Sequence, residues 1–273
     1  MTAGTSLLKM AMAVLLAALL AACASGGARG PNILQTATPD RITSSDEPEH
    51  TRRARVRLEL ASAYFARGQV VIALDQVKQA IAADPMIAPA FNLRGLIYSN
   101  LGDNQLAEES FQRALALDPA DADTMHNYGW HLCQQSRHAE AEALFKRALE
   151  VPRYDATAKT FLARGVCHAR AGRLDLAEAI LERAYDLDSG SPLIAVNLAE
   201  VLYQRGSFER ARQLMRRVNG RLESSSAQTL WLAAKIENKL GNAQAARAMG
   251  EQLAARFPES PEAGAYERRR FDE

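Results

Sequence analysis

The sequence has no surplus of either charge: 33 lysines and arginines stand against 32 aspartates and glutamates. Nucleic-acid binding leaves a basic patch or stripe as its footprint, and a chain this balanced offers none. No apolar run is long enough to cross a bilayer, because residues 10–22 fall short of the roughly 20 that a spanning helix needs. Convergent titratable groups, which an enzyme gathers in one pocket, are also missing. His126, His131, Cys133 and His138 come nearest, yet separations of five and two residues put them on different faces of a helix. They do not make the three or four ligands of a metal site. The glycine pairs near the amino end have neither a preceding strand nor a lysine at phosphate-loop spacing. These absences predict a protein without catalytic activity, cofactor or small-molecule substrate, and direct attention to protein binding.

The amino end supplies an address. Lys9 followed by the short apolar run has the make-up of a secretory signal. The run closes on Leu20-Ala21-Ala22-Cys23, which resembles the bacterial lipobox, so residues 1–22 are expected to be removed and Cys23 to carry lipid. One acyl chain holds a protein to a membrane only marginally, whereas several hold it firmly. Ala24 rather than aspartate after the cysteine favours the periplasmic face of the outer membrane under the lipoprotein sorting rule. Loss of residues 1–22 removes Lys9 and no acid, leaving 32 basic and 32 acidic residues. Residues 23–53 hold Gly26-Gly27, Gly30-Pro31, Pro39, Ser44-Ser45 and Pro48 with few large apolar groups. Such a stretch reads as a flexible tether, with an end-to-end distance of about 30 Å.

Beyond it, glycines recur at Gly68, Gly102, Gly172, Gly206 and Gly241, at intervals near 34 or twice that. A fixed period of that length signals stacked helical hairpins. Residues 88–121 resemble the tetratricopeptide repeat best, through Phe91, Gly95, Tyr98, Ala107, Phe111, Ala114 and Pro119. The same frame begins again near residues 54, 122, 158, 192 and 227. The predicted fold is all-α, a right-handed superhelix of six such repeats over residues 54–260. Residues 261–273 are charged and aperiodic and read as a frayed tail. The third repeat is longer, with Val151-Pro152-Arg153-Tyr154 in the loop that follows it. Cys133 and Cys167 fall on the first helices of adjacent repeats, where a disulfide would persist in an oxidising compartment. Helix axes 8–10 Å apart instead favour two small buried side chains, since a disulfide needs Cα atoms within about 7 Å.

In tetratricopeptide superhelices the first helices line an inner groove. Projection along those helices brings Leu58, Ser62 and Phe65, then Asn92, Leu96, Ser99 and Asn100, toward the groove. The third and fourth repeats add His126, Trp130, Cys133 and Gln134, then Leu162, Val166 and Arg170. Apolar groups flanked by amides suit an apolar peptide or an amphipathic helix. Periodicity alone leaves open whether Trp130 and Leu162 face the groove or pack between repeats.

The lipobox, six repeats, the stretch His126-Asn127-Tyr128-Gly129-Trp130-His131-Leu132-Cys133, the loop at 154–160, Trp231-Leu232 and Arg256-Phe257-Pro258 together resemble the type IV pilus biogenesis and stability lipoproteins, the pilotins of the pilus secretin. The resemblance spans essentially the whole chain after the signal. It implies a lipid-anchored scaffold at the outer membrane that binds the secretin and promotes its localisation and oligomerisation, and with it twitching motility. Arg57, where a large apolar residue is usual, departs from the pattern and reads as a polar cap on the first repeat. The competing expectation is a lipid-anchored repeat adaptor for a different envelope machine. A hydrolase carrying a repeat domain fits poorly, since the repeats leave no room for a catalytic domain.

Overall fold

Thirteen α-helices follow one another in the computed structural model, which describes residues 47–271. The candidate signal, Cys23 and most of the candidate tether lie outside the described residues. Twelve of the helices pair into six hairpins: α1 (Glu49–Ala66) with α2 (Val70–Ala83), α3 (Ala88–Leu101) with α4 (Asn104–Leu117), and α5 (Ala122–Gln134) with α6 (His138–Glu150). The array continues with α7 (Thr157–Arg170) and α8 (Leu174–Leu187), α9 (Pro192–Gln204) and α10 (Phe208–Asn219), and α11 (Ala227–Lys239) and α12 (Ala243–Arg256). A short 3-10 turn, Leu222–Ser224, separates the fifth hairpin from the sixth.

Each hairpin turns through a residue in the left-handed conformation, at φ of 82° for Gly102. The interval of 70 between Gly102 and Gly172 hides one more such turn, in which Ser136 adopts φ 62° without being glycine. A left-handed conformation costs a side chain about 1–2 kcal/mol, which is why the other five hairpins use glycine. The hairpins close tightly because a small residue on the first helix meets a large one on the second. A Cβ on Gly95 would lie 2.6 Å from the Phe111 ring, one on Gly129 3.0 Å from Phe145, and one on Gly165 2.6 Å from Leu181. The large partners Phe111, Phe145 and Leu181 are fully buried as a result.

Apolar clusters bridge successive hairpins, so no hairpin buries its face alone. A ladder of ion pairs runs beside them. Glu108, Glu142 and Glu178, spaced 34 and 36 residues apart, each meet arginines of the following repeat: Arg137, Arg164, and Arg205 with Arg210. At the last junction the sign inverts, and Arg212, 34 residues after Glu178, faces the buried Glu237.

Three expectations are corrected here. Helix α1 starts at Glu49 rather than near residue 54, so the end of the expected tether is already helical. Its exposed positions carry Arg53 paired with Glu49, and Ala54 is its first buried contact. Residues 261–271 do not fray: α13 (Pro261–Glu267) is capped by the Ser260 side chain. Gly250 on α12 makes room for its Tyr266 ring, and Phe271 stacks on Trp231 with centroids 5.2 Å apart. Three aromatic and small apolar side chains among many charges were enough to dock it. Finally, Cys133 and Cys167 are bonded, with Cα atoms 5.8 Å apart. Both side chains lie along the line between α5 and α7, where the local backbone separation is smaller than a mean axis spacing.

Candidate functional site

The first helices of the second to fifth repeats present a mixed stripe centred on Trp130. The indole is half-buried against the apolar cluster of the middle repeats, and the Arg170 guanidinium from the next repeat lies 5.1 Å from its ring centroid. A cation over an indole face is worth about 0.5–1 kcal/mol where it is exposed. It also fixes the long Arg170 side chain in place. Leu96 flanks Trp130 from the preceding repeat, half-buried against the same cluster. Leu162 is half-buried against the apolar cluster of the later repeats. The sequence left groove and core open for Trp130 and Leu162, and both are in part each, packed on one edge and accessible on the other.

The amides divide. Asn100 and Gln134 are exposed, whereas Asn92 accepts a hydrogen bond from Asn127 Nδ2 at 3.1 Å and spends its carbonyl on joining two repeats. Leu58 and Phe65 are half-buried against the cluster of the first two hairpins, and Ser62 is exposed. Ser99 is bonded to His131 Nδ1 at 2.8 Å rather than open.

His126 was expected in the groove and lies inside instead. It is 5% exposed, with Nδ1 2.8 Å from Thr160 Oγ1 and its ring edge-on to Phe145. Burial, and secondarily the charge of Lys159, push its pKa down to about 4, so the ring is neutral near pH 7. The shorter side chain of Asn92 at the equivalent register stays half-buried, while an imidazole reaches far enough to meet the next repeat. Cys133 is likewise withdrawn from the groove by its bond to Cys167.

Val166 opens onto a cavity of about 180 Å³ that the sequence projection stopped short of. Arg170, Asn197, Glu200, Val201 and Gln204 line it too. Carrying the register of Val166 and Arg170 forward by 34 residues points to Glu200 and Gln204, so the signal was present. The cavity has an apolar floor, a carboxylate, amides and a guanidinium, which can seat an apolar side chain and bond the backbone on either side of it. A second cleft, of about 380 Å³, lies at the junction of the fifth and sixth repeats among Met215, Ile236, Met249, Arg212, Arg216 and Glu237.

The His and Cys constellation scatters. His131 bonds Ser99 and Gln135, His126 bonds Thr160, and only His138 approaches a cysteine, with Nδ1 3.5 Å from Cys167 Sγ. Among the described residues no helix is long and apolar enough to cross a membrane.

Tetratricopeptide-repeat profiles match residues 86–153, 128–192 and 168–235. The crystal structure of PilW, described as a widely conserved type IV pilus biogenesis factor, superposes with a TM-score of 0.73 at 34% identity. The match covers 78% of this chain and 97% of that one. The type IV pilus assembly protein PilF of Pseudomonas aeruginosa is 24% identical over 257 residues, covering 93% of this chain and 96% of PilF. A solved structure of the P. aeruginosa PilF shares the fold, with a TM-score of 0.70 at 23% identity over 81% of this chain and all of that one.

Proposed function

From the premise that this chain belongs to the tetratricopeptide-repeat family and is a homologue of repeat proteins of type IV pilus biogenesis, we propose that it is a pilotin. In this reading it is a non-catalytic scaffold, lipid-anchored through Cys23 on the periplasmic face of the outer membrane. It binds the pilus secretin and promotes secretin localisation and oligomerisation. The observation that carries the reading is the 34% identity to PilW over 97% of that chain.

The groove supplies a means of binding. A half-buried aromatic held by a neighbouring guanidinium, beside an apolar-floored cavity, is the kind of anchor point on which interface energies concentrate. The disulfide and the buried His126–Thr160 side-chain hydrogen bond beneath it lower the ordering cost of association. The balanced charge of the chain fits a protein partner better than a polyanion.

The test is cell fractionation with secretin multimer analysis in a strain whose only copy is the wild type or Cys23→Ser. The expected result is secretin multimers in the outer membrane with the wild type and their loss or mislocalisation with the variant. Mass spectrometry of the mature amino terminus is expected to show acylated Cys23. An unmodified cysteine, or multimers unaffected by deleting the protein, would overturn the reading.

A further inference from the structure

We propose that Cys133, Cys167 and His138 form a metal site when the disulfide is reduced, one that takes Zn²⁺ and ties the third and fourth repeats together in place of the covalent bond. The inference is independent of the secretin reading. It rests on three donors from three helices, α5, α6 and α7, converging at one point.

Both sulfurs and a ring nitrogen of His138 lie within 4.8 Å of one another. Tetrahedral zinc holds sulfur at about 2.3 Å and imidazole nitrogen at about 2.0–2.1 Å, which places neighbouring donors roughly 3.5–3.8 Å apart. His138 Nδ1 already stands 3.5 Å from Cys167 Sγ. The Cα atoms of the two cysteines are 5.8 Å apart, so two thiolates can reach one ion with side-chain rotation alone. Two thiolates and an imidazole select a thiophilic cation over magnesium or calcium. The cysteines are 2% and 4% exposed, and His138 is half-buried at the first position of α6, giving a largely enclosed site. Among the described residues no further His, Cys, Asp or Glu joins the three, which leaves the fourth position to water. His126 and His131 take no part, being engaged by Thr160 and Ser99. The period placed Cys133 and Cys167 on adjacent first helices, but spacing could not show that His138, on the helix between them, reaches the same point.

The chemistry balances in two steps. A dithiol gives two electrons and two protons as it closes to its own disulfide, or a phosphine gives two electrons and becomes its oxide with the oxygen of a water that supplies both protons; the protein's sulfur–sulfur bond breaks and each sulfur takes one proton. Zn²⁺ then displaces one proton from each thiol, releasing two per ion, while His138 binds through the Nδ1 lone pair. The site therefore has two exclusive occupants, a covalent bond or an ion, and each cross-links the same pair of repeats.

The experiment uses residues 24–273, which leave out the Cys23 thiol, reduced with a phosphine and titrated with Zn²⁺ and, separately, Co²⁺. Expected are one equivalent of metal per chain and thiolate-to-cobalt charge-transfer bands, together with recovery by Zn²⁺ of most of the melting temperature lost on reduction. Oxidised protein should bind none. His138→Ala should bind metal more weakly than wild type by more than the tenfold to hundredfold that an outer-shell change costs. Its melting temperature in the oxidised state should match wild type, showing that the fold survives. No stoichiometric uptake by the reduced wild type, equal affinity in His138→Ala, or uptake without recovery of the melting transition would each overturn the proposal.

Discussion

The junction between the third and fourth repeats and the junction between the fifth and sixth solve the same packing problem differently. At the first, a disulfide, a buried His126–Thr160 hydrogen bond and a two-pronged Arg164–Glu142 pair at 2.7 and 2.6 Å all cross between the repeats. His168 adds a third contact to Glu142 at 3.2 Å. At the second, Asn219 and Thr229 exchange two hydrogen bonds at 3.0 and 2.7 Å and Lys235 lies over the Tyr203 ring, but no covalent bond crosses, Glu237 has Arg216 at 3.7 Å and Arg212 at 4.0 Å, and a cleft opens beside Met215. Docking of α13 compensates at the far end by covering Trp231 and Gly250. In a stack whose stability is a sum of nearest-neighbour terms, the covalent link is then what makes the middle the more rigid part. The candidate groove sits over the rigid part, where preorganisation helps binding most.

Substitutions at the two junctions put this contrast to the test. The largest effect is expected from Phe145→Ala. The residue is fully buried, fills the space beside Gly129 and touches His126, so about 3–5 kcal/mol should be lost. Met215→Ala should cost less, about 2 kcal/mol, because the adjoining cleft lets side chains collapse inward. Denaturant melts of the two variants compare them, and equal losses would remove the difference between junctions. Next, Cys167→Ala should cost about 2–4 kcal/mol by releasing the 34-residue loop. Hydrogen exchange should then show the protection of α5 and α7 falling toward that of α11.

Smaller effects separate the ion pairs. Arg164→Met should lose about 1–2 kcal/mol, since the pair is half-buried and two-pronged. Arg216→Ala, 68% exposed, should lose no more than about 0.5 kcal/mol. Acid sensitivity follows from the middle junction as well. His126, neutral and pushed down to about 4, favours folding fully above pH 6.5, and that contribution is lost as pH falls toward 4. Burial raises the Glu142 carboxyl, but the hydrogen bonds and charge of Arg164 outweigh it and hold the group at about 2. Its contribution is present above pH 4.5 and lost as pH falls toward 2. The His126 shift corresponds to about 3 kcal/mol, so the melting temperature should drop by roughly 6–12 °C across the first window in wild type, at roughly 2–4 °C per kcal/mol for a chain of this size, and less in His126→Gln.

The array was legible because its strongest constraint is local and repeats. Gly or Ala must sit where two helices cross, and glycine suits the left-handed turn, so both leave marks every 34 residues. Ser136 broke the second mark without changing the structure, since the turn still closes through Ser136 N–H to Cys133 O and Arg137 N–H to Leu132 O. Site residues were read less well because the register gives a direction from one helix and says nothing of side-chain reach. His126 at the groove register found Thr160 across the interface, and Cys133 found Cys167. Helix α13 escaped notice because its docking depends on a space at Gly250 that lies in another element. Glu200 and Gln204 could have been found by one more step of the period.

The central claim is that the partner binds over the middle repeats and not at the later junction. Equilibrium binding of the purified secretin to Trp130→Ala and to Met249→Ala, with circular dichroism on each, tests it most directly. Loss of Trp130 should remove 2 kcal/mol or more of binding energy, about thirtyfold in affinity, with the helical signal intact. Met249→Ala, which trims the distal cleft and the two apolar clusters of the later repeats, should bind like wild type. Full binding by folded Trp130→Ala, or selective loss in Met249→Ala, would contradict the account and move the partner to the other junction.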